Sequence, residues 1–213
     1  MAYFKVNYLD FDLDLPIGAQ SLTLTASMGS WPGQMPDDRI ALNIEAESPK
    51  FFFNPNNISD DEYDDYANWL NPFLNTQWFD LPTSLFATRS IEDLDGLTVR
   101  YDGDGAPNTL TGEDWREPPG SVAMYSNEFF RTAVINLKHA ERDVFEATLT
   151  GETEGGTHFD IAMLAPLTIK LNGHRGHTEA ELRAWLGGFL DASAFTFESE
   201  VIDGSAYVKG RLA

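Results

Sequence analysis

The chain has 213 residues, with 34 acidic side chains against 14 basic ones, a formal charge of −20, and no cysteine. That charge excludes non-specific attachment to a phosphate backbone, and the lack of cysteine excludes a disulfide scaffold, a thiolate-held metal and a thiol nucleophile. With 42% hydrophobic residues, and 15 Phe, 7 Tyr and 5 Trp spread along its length, the chain carries enough apolar material for a packed core.

The first fifteen residues alternate apolar and acidic side chains, so they lack the basic-then-apolar order of an export signal. No stretch approaches the roughly eighteen apolar residues of a membrane span, and the expected compartment is the cytoplasm. Leu9, Phe11, Leu13 and Leu15 alternate with Asp10, Asp12 and Asp14, the period of a half-buried strand whose acidic face discourages edge pairing. Leu22 and Leu24 alternate with Thr23 and Thr25, and Ile40, Leu42, Ile44 and Ala46 with polar residues, across a Gly/Pro connection that suits antiparallel strands. Ser59 and Glu62 then form a capping-box pair, flanked by Ile58 and Tyr63 as a hydrophobic staple. Tyr63, Tyr66, Leu70 and Phe73 recur at helical spacing, which predicts a helix from Ser59 to about Pro72. Strand-like TQWFDL and GLTVRY follow.

The second half repeats this order. Ile135 and Leu137 stand where Phe11 and Leu13 stood, and Ala147 to Thr150 echoes Leu22 to Thr25. Phe159, Ile161 and Met163 match Ile40, Leu42 and Ile44, and Thr178 with Glu181 opens a second capped helix. Trp185-Leu186 and Phe189-Leu190 match Trp69-Leu70 and Phe73-Leu74. Phe195-x-Phe197 matches Phe79-x-Leu81, and Ile202-Asp203-Gly204 matches Leu94-Asp95-Gly96. An internal duplication is the natural reading. The expected fold is therefore α+β and mostly antiparallel, with two tandem β-rich units, 1–101 and 127–213, each holding one helix. Between them lies a Gly/Pro-rich acidic linker, 102–126, and small separate cores favour packing of the two units on each other.

Charge is uneven between the halves. Residues 1–101 carry 16 acids and 5 bases (−11), the linker 5 and 1 (−4), and residues 127–213 carry 13 and 8 (−5). The densest run is Ser59-Asp60-Asp61-Glu62-Tyr63-Asp64-Asp65-Tyr66. Asp60, Asp61 and Glu62 suit a first helical turn, where carboxylates meet the positive end of the dipole. Asp64 and Asp65 lie beyond that turn, and Asp60–Asp64 and Asp61–Asp65 are i,i+4 like-charge pairs that each cost roughly a few tenths of a kcal/mol. The first helix is three residues longer than its counterpart, so the added turn brings charge that does not stabilise it. A basic partner protein explains this, while a solvated acidic face or adaptation to salt are the competing explanations. Asp60, Asp61, Glu62, Tyr63, Asp64, Asp65 and Tyr66 are accordingly the candidate partner-binding residues.

Other chemistry has little support. Asp102, Asp104 and Glu113 match three positions of a calcium loop, but Ala106 and Pro107 break its ligand and turn positions. His174 and His177 lack the i,i+4 spacing of a zinc helix, His158 reads as exposed, and His139 has no evident partner. Neither a nucleophile elbow nor a glycine-rich phosphate loop is present. Trp69 and Trp185 read as equivalent core anchors on their helices, whereas Trp31 and Trp115 sit in Gly/Pro-rich connections as contact residues or sheet plugs. The leading expectation is a non-catalytic protein without cofactor or metal. It would bind a basic protein partner, as an inhibitor or immunity protein against a nuclease-like toxin would, and neither nucleic acid nor a membrane directly. An accessory module of a larger assembly, such as a phage or secretion component, and a carboxylate-dependent hydrolase are the alternatives.

Overall fold

Alternating burial runs through nearly every segment of the computed structural model, which describes residues 2–28, 38–54, 69–77, 79–115, 117–173, 178–202 and 205–212. The first half supplies β1 (Tyr3–Tyr8), β2 (Phe11–Leu15), β3 (Gln20–Met28), β4 (Asp38–Glu47), β5 (Phe51–Phe52), β6 (Trp69–Leu70), β7 (Phe73–Thr76), β8 (Phe79–Leu81) and β9 (Thr98–Tyr101). The second supplies β10 (Gly120–Ala123), β11 (Asn127–Glu141), β12 (Val144–Thr153), β13 (His158–Gly173), helix α1 (Glu179–Leu186), β14 (Phe195–Ile202) and β15 (Ser205–Leu212). Strand makes up 58% and helix 11%. Among the described residues no helix is long and apolar enough to cross a membrane.

Seven of these strands close a barrel in the order β12-β11-β10-β7-β4-β3-β13, and β13 pairs back to β12. All the barrel pairings are antiparallel except β3 with β13, which run parallel from Leu22↔Leu167 to Met28↔Gly173. β13 reaches around the barrel because it changes partners along its length. Its first part pairs with β12 and with β1, and from Leu167 onward it pairs with β3 and β15. Pro166, which lacks an N–H, sits at the handover, opposite the last residue paired on β12. Phe159, Ile161, Met163, Ala165, Leu167, Ile169 and Leu171 all point inward and are buried. The hairpins β1–β2 and β14–β15, together with β8 and β9, extend the barrel wall outside this ring.

The expected α+β arrangement of two tandem units is corrected by this topology. Strands from both halves interleave in one barrel: β3 and β4 of the first half lie between β7 and β13, and β9 pairs with β11. The stretch read as a linker supplies the barrel strand β10, and its Trp115 is buried against Phe79 and Tyr101. Helix α1 forms as expected, with Thr178 and Glu181 making a full capping box. The last turn of the predicted first helix, the part of it that falls on described residues, is not helical. Trp69 and Leu70 are in β6, and Phe73 to Thr76 form β7, which pairs with β4 and β10. Pro72 disfavours helical backbone at Asn71, and two flanking strands bury Leu74 and Thr76 with period two, so pairing overrides the helical spacing. Ser59 to Tyr66 lie outside the described residues. The N-terminal alternation also breaks: Leu9 and Asp10 form the β1–β2 turn, both with positive φ, leaving Leu9 at 64% exposure. β2 is an edge strand, and Asp12 and Asp14 stand exposed on it.

Inside the barrel, aromatic rings lie over glycines. Phe130 stacks on Phe159 with centroids 5.0 Å apart. A Cβ on Gly120 would stand 2.5 Å from Asn75 O and 2.6 Å from Phe130 Cε2, and one on Gly151 would stand 2.1 Å from Thr132 O and 2.7 Å from Phe159 Cζ, so backbone and ring both crowd it. Both rings are nearly inaccessible, so neither can swing aside cheaply. Gly151→Ala is therefore expected to destabilise the fold by about 1–3 kcal/mol in urea unfolding; an unchanged midpoint would show that the neighbouring strand and the ring both give way freely.

A guanidinium–carboxylate pair ties β4 to β8. Arg39 grips Asp80 through two bonds, its Nε to Oδ1 and its Nη2 to Oδ2, the latter at 2.6 Å. Burial raises the Asp80 carboxyl above its ordinary range, and Arg39 opposes that shift. A carboxyl raised in this way supports the fold at low pH, and that contribution is lost as the pH rises through its folded value. Arg39→Ala leaves the charge half-buried and without its guanidinium, at an expected cost of about 2–3 kcal/mol near neutral pH, less than for a fully enclosed pair. Acidification should shrink the deficit as Asp80 protonates, measured by urea unfolding of both proteins across pH. A pH-independent deficit would place the loss in Arg39 packing instead.

Candidate functional site

The candidate acidic residues Asp60, Asp61, Glu62, Tyr63, Asp64, Asp65 and Tyr66 lie outside the described residues, but the structure shows where their segment leaves the fold and returns. β5 and β6 form a two-stranded ladder, with Phe51 opposite Leu70 and Phe52 opposite Trp69. The chain between residues 52 and 69 thus starts and ends on one pair of cross-strand neighbours. Ser48 N–H donates to Pro72 O at 2.9 Å and Asn71 N–H to Met124 O at 2.9 Å, fastening the ladder to the barrel end where β4 finishes.

Side chains alternate across this ladder, and both of its sides are aromatic. On one, Phe53 meets Phe51, Tyr8 and Phe11, with centroids 6.3, 6.0 and 5.5 Å away. On the other, Phe52 and Trp69 meet edge to face at 5.5 Å, and Lys50 Nζ stands 5.3 Å from the Trp69 ring. Phe11 is 41% exposed, Phe52 and Trp69 43% each, and Tyr125, in the loop after Met124, 62%. Exposed rings gathered in this way are the feature that marks an interaction surface. Carboxylates border the same end: Asp10 and Asp12 beside Phe11, Glu47 at the end of β4, and Glu128 near Tyr8. Burial, and then the Glu128 charge, raise the Tyr8 phenol above its usual range, which keeps it neutral.

The structure places the remaining candidates as follows. Trp69 is not a buried helix anchor but an exposed ring on a strand, whereas Trp185 packs from α1 against the core beside Phe189 at 5.1 Å. Trp115 is only 6% exposed, so it plugs the sheet and offers no contact surface; Trp31 lies outside the described residues. Asp104 accepts from the Tyr101 hydroxyl at 2.6 Å, and burial together with that bond raises the Tyr101 phenol. Asp102 pairs loosely with Arg100 at 3.5 Å, and among the described residues no three His, Asp or Glu converge on a point that could hold a metal. His158 is exposed. His139, for which the sequence suggested no partner, has two: its ring nitrogen lies 2.7 Å from Arg142 O, and its backbone N–H donates to Asp95 Oδ1 at 2.7 Å. His174 and His177 lie outside the described residues. The aromatic ladder is what sequence reasoning missed, and its signal was the run Phe51-Phe52-Phe53 directly before the acidic segment. Compared with known proteins, the chain matches no protein family, no characterised protein and no solved structure.

Proposed function

We propose that this chain is a non-catalytic protein that binds a basic protein partner at the aromatic end of its barrel, with the segment from Asp60 to Tyr66 supplying charge. An inhibitor or immunity protein against a nuclease-like toxin is the natural instance, because such a target presents a basic surface shaped for nucleic acid. The observation that carries the reading is the Phe52–Trp69 pair, which holds exposed rings at the two points where the acidic segment leaves and rejoins the fold. Exposed aromatic side chains supply the central contacts of protein interfaces, and carboxylates around them steer a basic partner and speed its approach. The two parts have different kinetic signatures. Charge acts mainly on association and is screened by salt, whereas a buried ring acts mainly on dissociation.

Capture from cytoplasm on immobilised protein, eluted by a salt gradient, tests the reading. The intact protein should retain a basic protein in stoichiometric amount and release it at moderate salt, while the double variant Asp64→Lys, Asp65→Lys should lose it with its circular dichroism unchanged. Equal capture by both proteins would remove the acidic segment from the proposal. With the partner in hand, Trp69→Ala should speed dissociation about tenfold or more and leave association nearly unaltered.

A further inference from the structure

The turn between β1 and β2 has two residues, with Tyr8 paired to Phe11 across it. Both turn residues carry positive φ, 49° at Leu9 and 66° at Asp10, the type I′ geometry common in hairpins of this length. That geometry favours Asn or Asp first and Gly second, because a larger side chain crowds the neighbouring carbonyl. Four non-glycine residues take positive φ among the described residues: Asp10, Arg89 and Arg142 are charged, and Leu9 alone is apolar. Leu9 is also 64% exposed, so a large apolar side chain stands in water at a position that strains its backbone. The fold gains no backbone ease and little burial from a leucine there.

The surroundings of the turn define what this side chain would meet. Tyr8 and Phe11, the pair that closes the turn, both pack on Phe53, with centroids 6.0 and 5.5 Å away, so the tip is fixed to the aromatic end. Phe11 is 41% exposed and extends the apolar surface of the tip. Asp10 and Asp12 alternate with Leu9 and Phe11 along the chain and are exposed. Among the described residues neither carboxylate forms an ion pair, and Asp12 accepts from the Asn7 amide at 2.8 Å.

We propose that Leu9 is an anchor of the partner surface, seated in an apolar pocket of the basic protein whose rim carries Lys or Arg against Asp10 and Asp12. The inference rests on the reading of the aromatic end as the partner surface, and adds to it a contact residue outside the ladder. Interface anchors are large side chains enclosed by a pocket of the partner, and one held in a tight turn loses less freedom on binding than one on a loose loop. The ladder from Tyr8–Phe11 to Phe4–Leu15 holds the turn in its strained form, as strain at a binding site requires. A second copy of this chain, whose charge is −20, is a poor occupant, because it would bring carboxylates against Asp10 and Asp12.

Leu9→Asn tests the assignment, because it keeps the charge and suits the turn. Its thermal midpoint should rise by about 2–4 °C. Its retention of the basic protein that the intact chain captures from cytoplasm should fall about tenfold or more. The photocrosslinker p-benzoylphenylalanine, placed at position 9 of the full chain, should join that same protein at an apolar residue bordered by Lys or Arg. The same group at Val201 of β14, which is 72% exposed, should not. Equal retention by Leu9→Asn overturns the inference and leaves the aromatic ladder as the binding surface. A lowered midpoint shows that Leu9 serves the fold, and a crosslink to a second copy of this chain shows self-association; either result overturns it too. If the intact chain retains no basic protein, the proposed function itself falls, and this inference with it.

Discussion

The barrel depends on the hydrogen-bond ladder of β13. A strand of sixteen residues is about three times the usual length, and sheet twist carries its two ends into different parts of the wall. β13 answers this by pairing with β12 and β1 in its first part and with β3 and β15 in its second. Because its inward residues stay on one face throughout, the same strand lines the core from one end of the barrel to the other. The parallel pairing with β3 is what closes the ring. It joins segments more than 130 residues apart, so closure needs both halves of the chain in place.

That dependence explains why two halves with similar patterns do not stand as two units. The hairpins β3–β4 and β12–β13 are both antiparallel and come from the matched stretches Leu22–Thr25 with Ala147–Thr150 and Ile40–Ile44 with Phe159–Met163. Either hairpin alone would leave one apolar face and two edges open to water. Joined through β3 and β13, they cover each other's faces. The likeness ends at Trp69 and Trp185, one on a strand and one on α1, because β7 finds β4 and β10 on its flanks while α1 follows β13 with no such opening between strands.

One surface gathers large apolar side chains that the core does not enclose. The barrel end is apolar rings bordered by carboxylates, suited to a partner that brings cations and covers area.

Local pattern made several of the strands readable from the sequence: β3, β4, β8, β9, β12 and the first part of β13 all lie on stretches read as strands, and the Thr178–Glu181 box located α1. These signals are local, since a strand face or a helix cap is written in residues a few positions apart. The acidity of Asp60 to Asp65 was equally plain. Which strands pair was not readable, because pairing is a choice among distant partners with similar apolar faces. The helical spacing of Leu70 and Phe73 therefore yielded to β4 and β10, and two apparent units became one barrel. The exposed ladder of Phe52 and Trp69 arises only from register. Each of these side chains reads as ordinary along the chain and becomes unusual beside the neighbour that the tertiary structure gives it.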